Sequence, residues 1–246
     1  IINNLLPFVL NRVFGGNLKN IFMGGAKLDD NSKKFYEQNN IIICEGYGSS
    51  ELSPLVSVNH LTNPRDLNSI GKILDGIEVD IINNEICVSG PNVMEGYWNL
   101  DNLNKKIFHE KENKKFYRTG DSGFIIDNYL YYDGRISDNY KMSNGKFVNV
   151  NTTENKIKKH ILNNFIIYGE NMDYNILIVE KELDSKDSSS TNLLNKIDLI
   201  NNDLENFINI KKIVEISPEE MVKFLTPKMS IKRKELIKYV KEKNYI

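Results

Sequence analysis

The sequence is poor in cysteine, histidine and tryptophan, and neither sign of charge prevails. Two cysteines, Cys44 and Cys87, cannot build a disulfide framework or a cysteine-based zinc site. Three scattered histidines, His60, His109 and His160, do not have the spacing of a metal-ligand cluster. Lys and Arg number 32 against 33 Asp and Glu, a net charge of -1. That balance excludes a globally basic nucleic-acid binder, although not a local basic patch. No apolar run approaches the ~20 residues that span a bilayer. The chain opens Ile1-Ile2, without an initiator methionine or a signal peptide, and reads as though it starts inside a larger protein. The expectation is a soluble, globular, intracellular protein, either cytoplasmic or peripheral on an internal membrane.

What is present is 246 residues, 40% of them hydrophobic, enough for one large domain or two small ones. Asn, Lys and Ile are used heavily, which coding bias in an AT-rich genome explains without a functional role for the Asn tracts. Leu5 to Phe14 has a helical period and stops at Gly15-Gly16, a C-cap signal. Asn20 to Met23 reads as a strand running into the Gly24-Gly25 turn. Asp29 to Gln38 reads as a helix with Asp29 or Asp30 as N-cap. Ile41 to Cys44 is a bare apolar run, as in a strand buried on both faces. The strand, helix, strand order predicts an α/β sheet. From Ser69 to Tyr132 short apolar runs alternate with Gly, Asn and Asp, the pattern of a meander or small β-barrel.

The remainder predicts a small α+β domain of about a hundred residues. A hairpin turns at Ser143-Asn144-Gly145 between Asn139–Met142 and Lys146–Val150. Helices are expected over Glu154–Leu162, Leu194–Phe207 and Ile231–Val240, and strands over Phe165–Tyr168, Tyr174–Val179 and Lys211–Ile216. Asp184 to Thr191 is charged and Ser-rich and reads as a mobile insertion. Lys105 to Lys115 reads as a solvated loop. The expected division is 1–134, a hinge at 135–138, and 139–246.

Several motifs carry chemistry. Gly24-Gly25-Ala26 follows a strand, where glycine lets backbone approach a flat ligand closely. Gly46-Tyr47-Gly48-Ser49-Ser50-Glu51 follows a buried strand. Its tyrosine can stack on a base, its hydroxyls can hold phosphate, and its carboxylate suits Mg²⁺, which takes one or two carboxylates plus phosphate oxygens. In Tyr117-Arg118-Thr119-Gly120-Asp121 an Asp on a tight turn can accept from two vicinal hydroxyls, as ribose presents. Gly134-Arg135-Ile136-Ser137-Asp138 and Lys141-Met142-Ser143-Asn144-Gly145 place cations near the expected hinge, suited to phosphate.

In this order, with Gly96-Tyr97-Trp98 between them, these motifs resemble the adenylate-forming enzymes, most closely the long-chain acyl-CoA synthetases. The resemblance runs from about residue 17 to the C-terminus. It implies the end of a large AMP-binding domain, with an α/β sheet and a β-barrel-like part, followed by a small mobile α+β lid. Gly24, Gly25 and Ala26 match the lining of the adenine pocket, and Lys27 stands where the family has a small residue or Pro. Tyr47 matches the residue packed on adenine, next to the backbone of Gly48. Ser50 replaces the usual Thr that contacts the AMP phosphate, and Glu51 matches the Mg²⁺ ligand. Asp121 matches the carboxylate that chelates ribose, and Arg135 an arginine near ribose and phosphates. Ser137 stands at the hinge position, normally Asp or Lys. Lys141 and Gly145 match the start of the lid, whose hairpin faces CoA. Gly96-Tyr97-Trp98 matches a structural motif without a catalytic role. The implied reaction joins a fatty acid to ATP with loss of pyrophosphate, then passes the acyl group to CoA.

Three departures stand out. Nothing here resembles the family's upstream phosphate loop, so the resemblance implies a C-terminal portion, inactive alone. The family's closing Lys-x-x-Arg motif would put its lysine at Ser230, counting back from Arg233. Lys228 and Lys232 flank it. In an extended segment both project on the side of position 230, and Lys228 is favoured because Lys232 starts the expected helix. Asn149-Val150-Asn151 replaces an Ala-Pro-Glu, with Glu154 keeping the acidic position. The helix over Lys232–Lys243 is either a solvated face, the simpler reading, or a surface that grazes an anionic membrane. No obligate protein partner is implied, and no nucleic acid. A carrier-protein ligase of the same fold, a nucleotide- or acyl-binding pseudoenzyme and a purely structural α+β protein remain the alternatives.

Overall fold

The computed structural model describes residues 2–25, 28, 30–62, 65–181 and 189–246. The chain divides into two units, Ile1–Asp133 and Gly134–Ile246. The first opens with α1 (Ile2–Val13), and Gly15 and Gly16, at φ +82° and +85°, end it. Then β1 (Asn20–Gly24), α2 (Asp30–Gln38) and β2 (Ile42–Tyr47) form a parallel strand–helix–strand unit. Its register pairs Gly24 with Gly46, so the two glycine motifs of the sequence begin side by side. Asp29, one of the two N-cap candidates of α2, lies outside the described residues.

The meander follows: β3 (Ser57–Val58), β4 (Lys72–Ile73), β5 (Glu78–Ile82), β6 (Glu85–Ser89), α3 (Asp101–Ile107), β7 (Phe108–Lys111), β8 (Lys114–Ile126) and β9 (Tyr129–Arg135). Among the described residues these strands and β1–β2 make one nine-stranded sheet, ordered β1-β2-β3-β4-β9-β8-β6-β5 with β7 on β8. Three of its turns are two residues long, at Asn83-Asn84, Glu112-Asn113 and Asp127-Asn128, and all six residues have φ between +49° and +66°. Both central residues of a type I′ hairpin need that left-handed conformation, and Asn tolerates it best after Gly. The abundant asparagine thus has a structural use here beyond coding bias. The Glu112-Asn113 turn also corrects the expected loop at Lys105–Lys115. That segment is the end of α3 and a β7–β8 hairpin, exposed but regular. The core beneath the meander gathers Leu52, Val56, Ile70, Ile86, Val88 and Leu130, each no more than 3% exposed.

The second unit holds β10 (Tyr140–Lys141), β11 (Phe147–Val148), α4 (Val150–Ile157), β12 (Phe165–Tyr168), β13 (Asn175–Glu180), α5 (Ser189–Asp203), β14 (Ile210–Ile216), α6 (Pro218–Met221) and α7 (Arg233–Glu242). Strand β13 is central, antiparallel to β12 and parallel to β14. Side chains alternate across a strand, and here the alternation divides two cores. Ile167, Leu177 and Val179 enter a core with residues of α4 and α5. Ile166, Tyr168, Ile176 and Ile178 enter another with Leu236 and Val240 of α7. This two-faced burial explains why Phe165–Tyr168 and Ile176–Val179 are unbroken apolar runs.

The expected hairpin around Asn144-Gly145 is present, with Tyr140 opposite Val148 and Gly145 at φ +78°. Helix α4 begins four residues ahead of the expected Glu154 because Asn149 caps it, its side chain accepting from Thr152 N at 3.0 Å. Residues 184–188 of the expected insertion lie outside the described residues, and Ser189–Thr191 are the first turn of α5 rather than loop.

Candidate functional site

Parallel strands β1 and β2 end together, and ligands of α/β sheets gather at such carboxyl ends. Gly24 and Gly25 leave β1 there, Gly25 at φ +89°. Ala26 and Lys27 lie outside the described residues. Tyr47 closes β2 and donates its hydroxyl to Asp121 Oδ2 at 2.7 Å, across 74 residues of sequence. Its ring lies 6.3 Å from that of Tyr132, tilted by 40°. Gly48 then passes so close to the returning chain that a Cβ would fall 1.8 Å from the Pro54 carbonyl oxygen. No other residue fits there.

Past Gly48 the chain forms a single 3-10 turn, Ser50–Leu52, anchored in the core by Leu52. Ser50 is exposed on it. The Oγ of neighbouring Ser49 is buried and lacks a hydrogen-bond partner among the described residues, a donor suited to a phosphate oxygen. Glu51 Oε1 accepts from the Tyr97 hydroxyl at 2.7 Å, and its backbone carbonyl accepts from Met94 N at 2.9 Å. The Tyr97 hydrogen bond to Glu51, with some burial, holds that phenol above its ordinary pKa. Asn92 Nδ2 donates to the carbonyls of Leu52 and Leu55 and so closes the loop.

Asp121 owes its position to an irregularity in β8. Glu85 lies opposite Ser122 and Cys87 opposite Arg118, so two steps on β6 face four on β8. The extra residues bulge out, with Gly120 at φ +72°, which re-aims the following side chain. Glu85 holds the bulge, accepting from Arg118 Nε and Nη2 at 2.8 and 2.6 Å and from Gly120 N at 2.9 Å. Thr119 Oγ1 accepts from Asp121 N at 3.1 Å. Asp121 ends 5% exposed.

A single carboxylate, Glu51, fits a cation that takes its other ligands from phosphate and water. Among the described residues no three His, Cys, Asp or Glu converge. A cation at Glu51 would therefore draw its remaining ligands from phosphate and water, as Mg²⁺ does and structural Zn²⁺ does not.

The second unit carries Arg135, Lys141 and Lys228. Arg135 is exposed at the entry to the Ile136–Asp138 turn. Lys141 is exposed on β10, its carbonyl accepting from Asn171 N at 2.9 Å. Ser137 and Asp138 line a cleft of about 450 Å³ with Tyr140, Tyr168, Arg233 and the lysines of α7. Lys228 is the tip of a tight hairpin. Leu225 bridges Ile231, Met229 N donates to Thr226 O, and Thr226 N to Ser230 O, both at 2.8 Å. Met229 is left-handed at φ +60°. This corrects the expected extended segment, because residues 226–230 turn and strand alternation does not relate Lys228 to position 230. Lys232 precedes α7, with its ammonium 3.5 Å from Glu235. Lys228 has no ion-pair partner among the described residues and is exposed.

Comparison with known proteins gives this geometry its context. The AMP-binding enzyme family matches residues 4–98, and its C-terminal domain matches residues 137–243. The chain belongs to the AMP-binding enzyme family. The long-chain-fatty-acid–CoA ligase FadD15 of Mycobacterium bovis is 28% identical over 164 residues, 65% of this chain and 26% of that protein. The chloroplastic long-chain-fatty-acid–[acyl-carrier-protein] ligase AEE15 of Arabidopsis thaliana is 26% identical over 171 residues, 60% of this chain and 23% of its own length. The O-succinylbenzoate coenzyme A synthetase MenE of Bacillus subtilis, solved with ATP and magnesium ion, superposes with a TM-score of 0.64. That likeness covers 80% of this chain and 42% of MenE at 20% identity. The fold is thus that of the adenylate-forming enzymes, and the chain spans about a quarter of the length of those curated relatives.

Within this AMP-binding fold some participants were invisible to motif reading. Tyr97 belongs to a motif read as structural, yet its hydroxyl holds Glu51. Glu85 and Asn92 belong to no motif. Only their hydrogen bonds to the motif segments identify them. Arg233, which also lines the cleft, is anchored within the second unit. Its guanidinium pairs with Glu154 and donates to Ile167 O at 2.9 Å, which also gives Glu154 its purpose.

Proposed function

We propose that the protein is an ATP-dependent acid–thiol ligase, a long-chain fatty acid–CoA ligase, and that this chain supplies part of its nucleotide site. The observation that carries the reading is the Tyr47–Asp121 hydrogen bond, which gathers an aromatic ring and a carboxylate at the carboxyl ends of two parallel strands. An aromatic face suits adenine, and a carboxylate suits vicinal ribose hydroxyls. Tyr47, itself bonded to Asp121, orients that carboxylate toward the sugar. Ser50 and Ser49 offer hydroxyls to phosphate. Glu51, held by Tyr97, would ligate Mg²⁺, which when bound neutralises charge on phosphate oxygens.

In the proposed first step a carboxylate oxygen attacks the α-phosphorus of ATP. The bond to the bridging oxygen breaks, and pyrophosphate leaves. In the second, a thiolate sulfur attacks the acyl carbon and AMP leaves. Lys228 is our assignment for the cation that meets developing negative charge in the first step, because among the described residues it has no ion-pair partner, whereas Lys232 lies 3.5 Å from Glu235. The long-chain substrate draws support from the resemblance to FadD15 and AEE15. AEE15 favours a second acceptor, an acyl carrier protein in place of CoA.

Product analysis tests the reading. The full-length protein is incubated with MgATP, fatty acids of graded length, and either CoA or a holo carrier protein, and thioesters are measured by mass spectrometry. Long-chain acyl-CoA as the main product is expected. Acyl carrier protein alone would change the acceptor, and aryl thioesters alone would change the acid. Nucleotide binding with no thioester would make the protein a binding module.

A further inference from the structure

Behind the nucleotide site lies an ion pair that the proposed chemistry does not use. Lys33 of α2 and Glu45 of β2 are each 2% exposed, with Nζ and Oε2 2.5 Å apart. A buried pair of this kind is weak evidence for stability, since well-packed apolar residues of similar volume do as well or better. Its other contacts indicate what it does. Glu45 Oε1 accepts from the backbone N–H of Leu28 at 2.8 Å. Lys33 Nζ donates to the Leu67 carbonyl at 3.0 Å. Glu45 O accepts from Asn59 N at 2.9 Å. One carboxylate therefore ties Leu28 to β2, and one ammonium neutralises it while holding Leu67, which follows β3.

Glu45 and Tyr47 are two apart on β2 and leave it on the same face. A second charge pair steadies the same strand. Glu37 accepts from Ile43 N at 2.9 Å and from Arg65 at 2.8 Å, and Arg65 also donates to Ile43 O. We infer that Glu45, neutralised by Lys33, is a positioning residue for nucleotide binding, fixing the backbone of Leu28 against the strand that presents Tyr47. This rests on the proposed nucleotide site.

The decisive feature is the acceptor at position 45, not its charge. Single substitutions would strand an uncompensated charge in the interior and confound folding with function. Two double variants separate the cases. Lys33→Met with Glu45→Gln keeps a carbonyl that can accept from Leu28 N–H. Lys33→Met with Glu45→Leu removes it and leaves an apolar pair. In the full-length protein, MgATP binding is measured by calorimetry, beside steady-state kinetics and thermal unfolding. The Met/Leu variant should stay folded at the assay temperature, with a melting point at most modestly lowered by the stranded Leu28 N–H, yet bind MgATP about tenfold more weakly because the backbone at Leu28 is no longer held. Its KM for ATP should rise to match, while kcat and the KM for the acid stay near wild type. The Met/Gln variant should recover wild-type affinity. A Met/Leu variant that binds MgATP as tightly as wild type would overturn the inference. So would a Met/Gln variant as weak as Met/Leu. A wild-type protein that binds no nucleotide would overturn the functional reading itself, which separates the two failures.

Discussion

At the residue scale, the site depends on carboxylates oriented by hydroxyls. Glu51 takes its orientation from Tyr97, 46 residues away in sequence. Removing only that hydroxyl, in Tyr97→Phe, should raise the Mg²⁺ concentration for half-maximal activity about tenfold, since one hydrogen bond to a charged group is worth about 1.5 kcal/mol. A magnesium titration at fixed ATP measures it, and an unchanged midpoint would deny Tyr97 this role. Other tyrosines bind carboxylates elsewhere. Hydrogen bonds to Asp66 and Glu220 push the phenols of Tyr131 and Tyr239 up to about 12. Burial raises that of Tyr140 too. The unfolded value is about 10, so the protonated phenols favour the folded state fully below that pH. The contribution fades as pH climbs from about 10 through about 12. Absorbance at 295 nm should show these rings ionising after the rest, and the urea midpoint should fall over the same window.

At the element scale, the loop after β2 is one closed piece. Gly48, Leu52 and Asn92 fix its start, middle and end. Gly48→Ala would drive a Cβ into the Pro54 carbonyl. It should abolish MgATP binding while the second unit keeps its fold, which calorimetry and hydrogen exchange together would report. Much of this scale was legible in the sequence. Bare apolar runs marked β2, β12 and β13, glycine pairs marked the end of α1 and of β1, and Asn-Gly marked the β10–β11 hairpin. The β7–β8 hairpin was not legible because Glu112-Asn113 lacks the glycine that signals a type I′ turn. The onset of α4 was missed because Asn149 reads equally as turn and cap. The hairpin carrying Lys228 was misread as extended. Its turn is set by Met229 in a left-handed conformation and by backbone bonds across Thr226 and Ser230, which no local pattern announces. The motif residues were readable by type, but their supports, Tyr97, Glu85, Asn92, Lys33 and Glu45, act through contacts distant in sequence.

At the scale of the whole molecule, two units with separate cores share one chain. The second surrounds its three-stranded sheet with apolar side chains on both faces. Residues 134–246 expressed alone should therefore fold and melt in one cooperative transition, with the amides of β13 the most protected. A gradual, non-cooperative melt would show that this unit needs the rest of the chain. The central claim concerns the chemistry. Its most direct test is acid-dependent exchange of labelled pyrophosphate into ATP by the full-length protein, beside Lys228→Ala. The account predicts exchange that requires Mg²⁺ and a long-chain fatty acid, without CoA, and that falls by at least about a hundredfold in the variant, as loss of a charge-stabilising group does in other enzymes. Bound ATP with no exchange under any acid would contradict it.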